Sequence, residues 1–241
     1  ICLIKKTKIG LISRAIKNIK TKYRNKNFYT PVFQKYFIKV EEDIRNNKTH
    51  YYKSLKTHLN LSNDITKNYT ISDEAQDKAY KIAKYVMNNN FIIISPESKS
   101  NEAMKNSFWE NLCKKFADKG YKIFCNAMNF NNLIEGTDSM FLSYEESIAL
   151  SEYAKAIIGL RSGFLECISH ATVPTFAIYT DFPERKGRLK SLSSNKVIKG
   201  FSIKQLPNVN PNMIFEYDAN LYEDENIIID EIINELSKIL N

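Results

Sequence analysis

Residues 154–180 read AKAIIGLRSGFLECISHATVPTFAIYT. Lys155 to Leu160 is a nearly continuous apolar run, as in a strand buried on both faces. It breaks at Arg161-Ser162-Gly163, and a helical pattern from Phe164 to Ala171 follows. Thr175 to Tyr179, just after Pro174, is a second apolar strand. Strand, short helix and strand in this order belong in a parallel sheet covered on both faces.

The alternation continues outward in both directions. Ser72 followed by Asp73 and Glu74 provides an N-cap with acidic residues in the first turn, opening a helix through about Met87. After Asn88-Asn89-Asn90 the pattern predicts a strand at Phe91–Ser95, a helix at Phe108–Lys119, a strand at Tyr121–Cys125 and a short strand at Met140–Leu142. Ser143-Tyr144-Glu145-Glu146 has the spacing of a capping box, in which Ser143 and Glu146 satisfy each other's backbone N–H, and opens a helix to Ala154. A last strand near Ile214–Tyr217 leads into a helix from about Glu223 to Leu240. The expected fold is α/β, a doubly wound parallel sheet forming a Rossmann-like domain over residues 61–241.

Residues 1–60 have a different character. Residues 1–57 carry 15 Lys and Arg against 3 acidic residues, a net +12, whereas the rest carries 20 against 24, a net −4. Ile9, Leu11, Ile12, Ile16 and Ile19 recur at near-helical spacing among lysines, predicting a basic amphipathic helix over Lys5–Tyr23. Phe33, Phe37, Ile38, Val40 and Ile44 suggest a second helix, and Tyr51–Leu59 a third. Such a basic face suits an anionic membrane surface or a nucleic acid, and equally plain water. The interleaved Tyr23, Phe28, Tyr29, Phe33, Tyr36 and Phe37 fall largely at helical spacing, which argues for packing over base stacking and against nucleic acid.

With 43% apolar residues the chain can build a substantial core, and no apolar run approaches the roughly 20 residues that span a bilayer. A start at Ile1 instead of Met reads as an excerpt from a longer chain. Cys2, Cys113, Cys125 and Cys167 form no CxxC pair and fit free thiols in a reducing cytoplasm. His50, His58 and His170 lack metal-ligand spacing, and GxSxG, HExxH and Walker motifs are missing. Hydrolase and nucleoside triphosphatase readings therefore lack support. Trp109 reads as packing.

Ligands of open parallel α/β sheets bind outside the carboxyl ends of the strands. Those ends are Ser95-Pro96-Glu97-Ser98-Lys99-Ser100-Asn101, then Asn126, then the approach to Ser143, then Arg161-Ser162-Gly163, then Thr180-Asp181 with Glu184 to Arg188 beyond. Amides at Ser162 and Gly163, the Ser162 hydroxyl and the charges of Arg161 and Lys99 would together suit a diphosphate. Arg185, Lys186 and Arg188 are further candidate anion contacts. Glu166, one turn into the helix, can accept from ribose hydroxyls, with Asn126 and Ser143 as further ribose or base contacts. The plainer alternative makes Ser162 an ordinary N-cap and Arg161 half of a salt bridge to a neighbouring Glu.

In these residues the chain resembles the C-terminal, donor-binding half of GT-B glycosyltransferases. It is most similar to the bacterial heptosyltransferase-like family 9 enzymes of lipopolysaccharide and capsule synthesis. The resemblance runs through FIIISPESKSNEAMKNSFWENLCKKFADKGYKIF and LSYEESIALSEYAKAIIGLRSGFLECISHATVPTFAIYT. Arg161 stands where the family usually has Asp, and Glu166 where it often has His; Lys99, in preference to Lys105, takes the place of the phosphate-binding lysine.

The resemblance implies a cytoplasmic enzyme that moves a sugar from a nucleoside diphosphate sugar to a glycan or lipid-linked glycan at the inner face of the plasma membrane. It implies no cofactor beyond that donor substrate, no metal, and a general base on an N-terminal lobe of which residues 1–60 would be the end and connector. GLRSG with YTDFPERKGRL also resembles polysaccharide pyruvyltransferases. A non-catalytic nucleotide-sugar-binding lobe or a basic adaptor is the reading from another class.

Overall fold

The computed structural model describes residues 39–46, 48–59, 70–127, 133–139, 142–184, 191–207 and 209–240. The basic helix expected over Lys5–Tyr23 and the anion contacts expected at Arg185, Lys186 and Arg188 lie outside them. Five strands, β1 (Phe91–Ser95), β2 (Lys122–Cys125), β3 (Ala156–Leu160), β4 (Thr175–Tyr179) and β5 (Ile214–Asp218), form one parallel sheet in the order β2-β1-β3-β4-β5. All but the edge strands β2 and β5 are buried along their whole length, as continuous apolar runs require.

The short strand expected at Met140–Leu142 falls largely outside the described residues. Met140 and Phe141 lie outside the described residues and Leu142 is unpaired loop, while the extra pairing falls at Asp138. Asp138 donates its N–H to the Ile123 carbonyl and accepts from the Cys125 N–H, each at 2.8 Å. The turn at Gly136, where φ is +78°, delivers the chain to the β2 edge earlier than the apolar pattern suggests. With Asp138 counted as a rudimentary outer strand, the order matches the 3-2-1-4-5-6 arrangement of dinucleotide-binding folds.

Helices cover both faces. We number them α1 (39–45), α2 (Tyr51–His58), α3 (Asp73–Lys81), α4 (Asn106–Asp118), α5 (Tyr144–Ser151), α6 (Gly163–Ile168), α7 (Ser194–Phe201) and α8 (Glu225–Leu240). Period-2 alternation sends Ile92, Ile94, Ile158 and Ile178 toward α4 and α8, and Phe91, Ile93, Ile157 and Tyr179 toward the face that carries α3, α5, α6 and α7. α3 opens at Ser72, whose hydroxyl accepts from the Ala75 N–H, and runs into a π-helical turn, Ile82–Val86. Asn88 and Asn89 then take positive φ, which suits Asn better than most residues.

The predicted capping box is present: Ser143 N–H donates to Glu146 Oε2 at 2.7 Å, and Glu146 N–H to Ser143 Oγ at 3.2 Å. Helix α7 has no counterpart in the sequence expectation. Residues 39–46 and 48–59, assigned by sequence to the basic segment, pack onto this domain. Val40 and Ile44 are buried in the same core as Ile93 and Ile157. Ile44 approaches α7 so closely that a Cβ on Gly200 would lie 2.3 Å from its Cγ2. No described helix is long and apolar enough to cross a membrane.

Candidate functional site at the carboxyl edge of the sheet

Strand order reverses between β1 and β3. The chain leaves β1 for α4 on one face and leaves β3 for α6 on the other, so their carboxyl ends open a crevice between them. Ser98 shapes the first part of the β1–α4 loop by accepting from the Ser100 and Asn101 N–H groups, at 3.3 Å each, and donating to Asn101 Oδ1 at 3.2 Å. Farther on, Glu102 N–H donates to the Asp181 carbonyl (2.8 Å) and Thr180 Oγ1 to the Glu102 carbonyl (2.7 Å). Because β3 separates β1 from β4, this loop crosses the end of β3.

At this crossing lie three buried side-chain atoms with no hydrogen-bond partner among the described residues: Ser95 Oγ, Asn101 Nδ2 and Arg161 Nε. Their residues are 1%, 6% and 8% exposed, so solvent does not readily satisfy them. Unpaired buried polar atoms are rare in folded proteins and costly, about 1–3 kcal/mol each. Ser95 is brought close to β3 by Gly159, where a Cβ would lie 2.8 Å from the Ser95 carbonyl oxygen and 2.9 Å from its Cβ.

Arg161 turns toward the face that carries α6 and α7. Its Nη2 donates to Glu166 Oε2 at 2.8 Å, and Glu166 Oε1 accepts from the Tyr51 hydroxyl. The guanidinium lies over the rings of Phe201 (4.8 Å) and Tyr51 (5.3 Å), which stack on each other with centroids 5.1 Å apart. Burial, then the Glu166 charge, push the Tyr51 hydroxyl far above its ordinary value, so it remains a donor. The salt bridge of the plainer alternative is therefore formed, with an aromatic wall around it.

Two neighbouring networks hold that wall. His50 caps α2 through Nδ1, which accepts from the Tyr52 N–H at 3.3 Å; the proton therefore belongs on Nε2, 3.0 Å from the Ser202 carbonyl. Burial pushes the His50 imidazole down to about 4, so it is neutral near pH 7. Glu216 on β5 accepts from Tyr179 Oη (2.6 Å), Ser202 Oγ (2.9 Å) and the Ile203 N–H (2.7 Å). Together these fix the end of α7, and with it Phe201, against the sheet.

The other expected site residues are dispersed along the same edge. Lys99 is exposed, with no ion pair or hydrogen bond among the described residues. Lys105 precedes α4 and lies 3.7 Å from Glu225. Ser162 caps α6 by accepting from the Leu165 N–H at 3.1 Å; Gly163 is exposed, with nothing within 4 Å of an added Cβ. Asn126 is half-buried and its N–H extends the ladder to the Ile94 carbonyl. The Tyr144 and Phe164 rings, 6.1 Å apart, bring the Ser143 end of α5 beside α6. Trp109 is a core residue.

Sequence reading names Ser95 and Asn101 only as residues of the strand end, Tyr51 only as the start of a helix, and leaves out Phe201 altogether. A signal existed for Ser95, the polar end of an otherwise apolar run. None existed for Tyr51, whose partner Glu166 is 115 residues away. Among the described residues no cluster of His, Cys, Asp or Glu is arranged to hold a metal ion. Two surface cavities, about 260 Å³ beside Lys105 and Glu225 and about 540 Å³ along the β5 edge, contain none of the preferred site residues.

No family model matches the chain, and no curated protein matches it in sequence. Solved structures do match in shape. The glycosyl transferase family 9 protein from Veillonella parvula is 14% identical, with a TM-score of 0.50 over 79% of this chain and 61% of that one. E. coli ADP-heptose lps heptosyltransferase II (12% identity, 78% and 59%, TM-score 0.49) and E. coli heptosyltransferase WaaC with ADP (14%, 78% and 57%, TM-score 0.48) also match. The chain spans about three fifths of the length of these proteins. Its fold is thus the α/β fold of a family 9 glycosyl transferase, as the resemblance in sequence implied.

Proposed function

We propose that this chain is the donor-binding part of a glycosyltransferase. It takes a nucleoside diphosphate sugar at the β1/β3 crevice and passes the sugar to a cell-surface glycan such as lipopolysaccharide or capsule. The observation that carries this reading is the trio of buried donors without a partner among the described residues, Ser95 Oγ, Asn101 Nδ2 and Arg161 Nε, at the place where doubly wound folds bind nucleotides. The fold shared with a family 9 glycosyl transferase supports it.

In this reading the crevice donors, Lys99 and the Ser162 and Gly163 amides stabilise the charge that grows on the leaving diphosphate. Asn126, Ser143 and Glu166 hold ribose or base, with Arg185, Lys186 and Arg188 as further anion contacts. The reading needs no cofactor beyond the donor substrate. The base that deprotonates the acceptor hydroxyl belongs to an acceptor lobe, and residues 1–57 meet an anionic membrane, placing the protein on the cytoplasmic side. The pairing of Arg161 with Glu166 favours a second reading, a lobe that binds nucleotide without transferring sugar, because the pair presents no net charge to a leaving group.

A thermal-shift screen of nucleoside diphosphates and their sugars on the whole chain tests the proposal. Saturation at 100 times Kd stabilises by about 3 kcal/mol, and Lys99→Ala is expected to weaken the shift. If no nucleotide raises Tm, donor binding is refuted; if one does so without detectable sugar transfer in the presence of glycan acceptor and the acceptor lobe, the second reading stands.

A further inference from the structure

We infer that Tyr51, on a helix that precedes the sheet in sequence, is a positioning residue for the crevice, acting through Glu166 on Arg161. This rests on the proposed function for its consequence, though not for its geometry. Glu166 has two oxygens and two partners: Oε1 takes the Tyr51 hydroxyl and Oε2 takes Arg161 Nη2. The Tyr51 ring, stacked on Phe201, also lies under the guanidinium. One side chain therefore holds both members of the ion pair, and Arg161 is left with a single orientation in which Nε is a buried donor without a partner.

Without the hydroxyl, Glu166 loses half its satisfaction and can swing. Arg161 then follows its carboxylate or turns Nε to another acceptor. Since Glu166 lies one turn into α6 and Arg161 directly follows β3, the wall between β3 and α6 loosens while the sheet beneath it, held by continuous ladders, does not. Tyr51 thus makes α2 part of the donor site and couples whatever moves α2 to it.

The test compares the whole chain with Tyr51→Phe, which deletes one oxygen and keeps the stack, and with Phe201→Leu, which breaks the stack and keeps the hydroxyl. Hydrogen exchange of the ligand-free proteins is the first measurement. Tyr51→Phe is expected to speed exchange at residues 163–168 at least tenfold with β1, β3 and β4 unchanged; unaltered exchange there overturns the inference. Affinity for ADP, GDP and UDP is the second. Tyr51→Phe is expected to weaken whichever binds by about fivefold or more, whereas Phe201→Leu lowers Tm more than Tyr51→Phe does, with a smaller loss of affinity. Looser exchange with undiminished affinity would overturn the link to the site. Failure of the wild-type chain to bind any of the three counts against the donor reading, and the exchange measurement still decides the coupling.

Discussion

Arg161 illustrates what burial does to a cation. Expected at a strand end as a free charge for an anion, it is 8% exposed, paired with Glu166 and laid over two aromatic rings. Arg161→Ala would strand the Glu166 carboxylate beside the Tyr51 hydroxyl and is expected to cost about 3–5 kcal/mol in urea unfolding, far more than an exposed pair would. His50 gives a pH signature. Its folded-state value, about 4, lies below the unfolded value near 6.5, so the unfolded chain binds the proton more readily. The His50 contribution is therefore complete above about pH 6.5 and falls by about 1 kcal/mol per pH unit down to about pH 4. His50→Gln should flatten that part of the stability profile. Candidates at strand ends were legible because topology alone puts them there. Their partners were not, since Tyr51 and Phe201 meet Arg161 only through the tertiary fold.

At the scale of elements, the strands were legible because each is an apolar run bounded by turn residues, and β1, β3 and β4 lie within a residue of the expected ranges. The capping box of α5 was legible for a local reason too, two side chains three residues apart. Ser143→Ala removes that cap and is expected to cost about 1 kcal/mol, measurable as a lower urea midpoint. Helix α7 has no local start signal as strong as the α5 capping box, with no side-chain cap at Ser193, and its close contact with Ile44 at Gly200 is visible only in the tertiary fold. The close approach of β1 and β3 was hidden for the same kind of reason: Gly159 reads as a weak strand residue until Ser95 is seen against it. Gly159→Ala must push on the Ser95 backbone, so a loss of about 1–3 kcal/mol is expected despite the strand's preference for a side chain over glycine.

At the scale of the molecule, composition separated a basic first quarter from a mixed remainder, and the packing does not follow that division. Val40 and Ile44 belong to the sheet's core, and His50 and Tyr51 to the wall of the crevice. A chain beginning at residue 61 is therefore expected to unfold at a lower urea concentration than the whole chain, by several kcal/mol if both buried aliphatics are lost. An unchanged midpoint would show that residues 39–59 contribute nothing to the domain. Charge distribution could not reveal this, because a helix can be basic on its solvent face and still bury its other face.

The donors between β1 and β3 that lack a partner among the described residues are expected to find one in a nucleotide. Ser95→Ala tests it most directly, since the substitution removes one buried hydroxyl and changes little else. Its Tm without ligand and its affinity for the best-binding nucleoside diphosphate should be measured together. Opposite movements are expected: Tm equal to or above that of the wild type, because an unsatisfied polar atom is gone, and nucleotide affinity at least fivefold weaker. Undiminished affinity would contradict it, whatever happened to Tm.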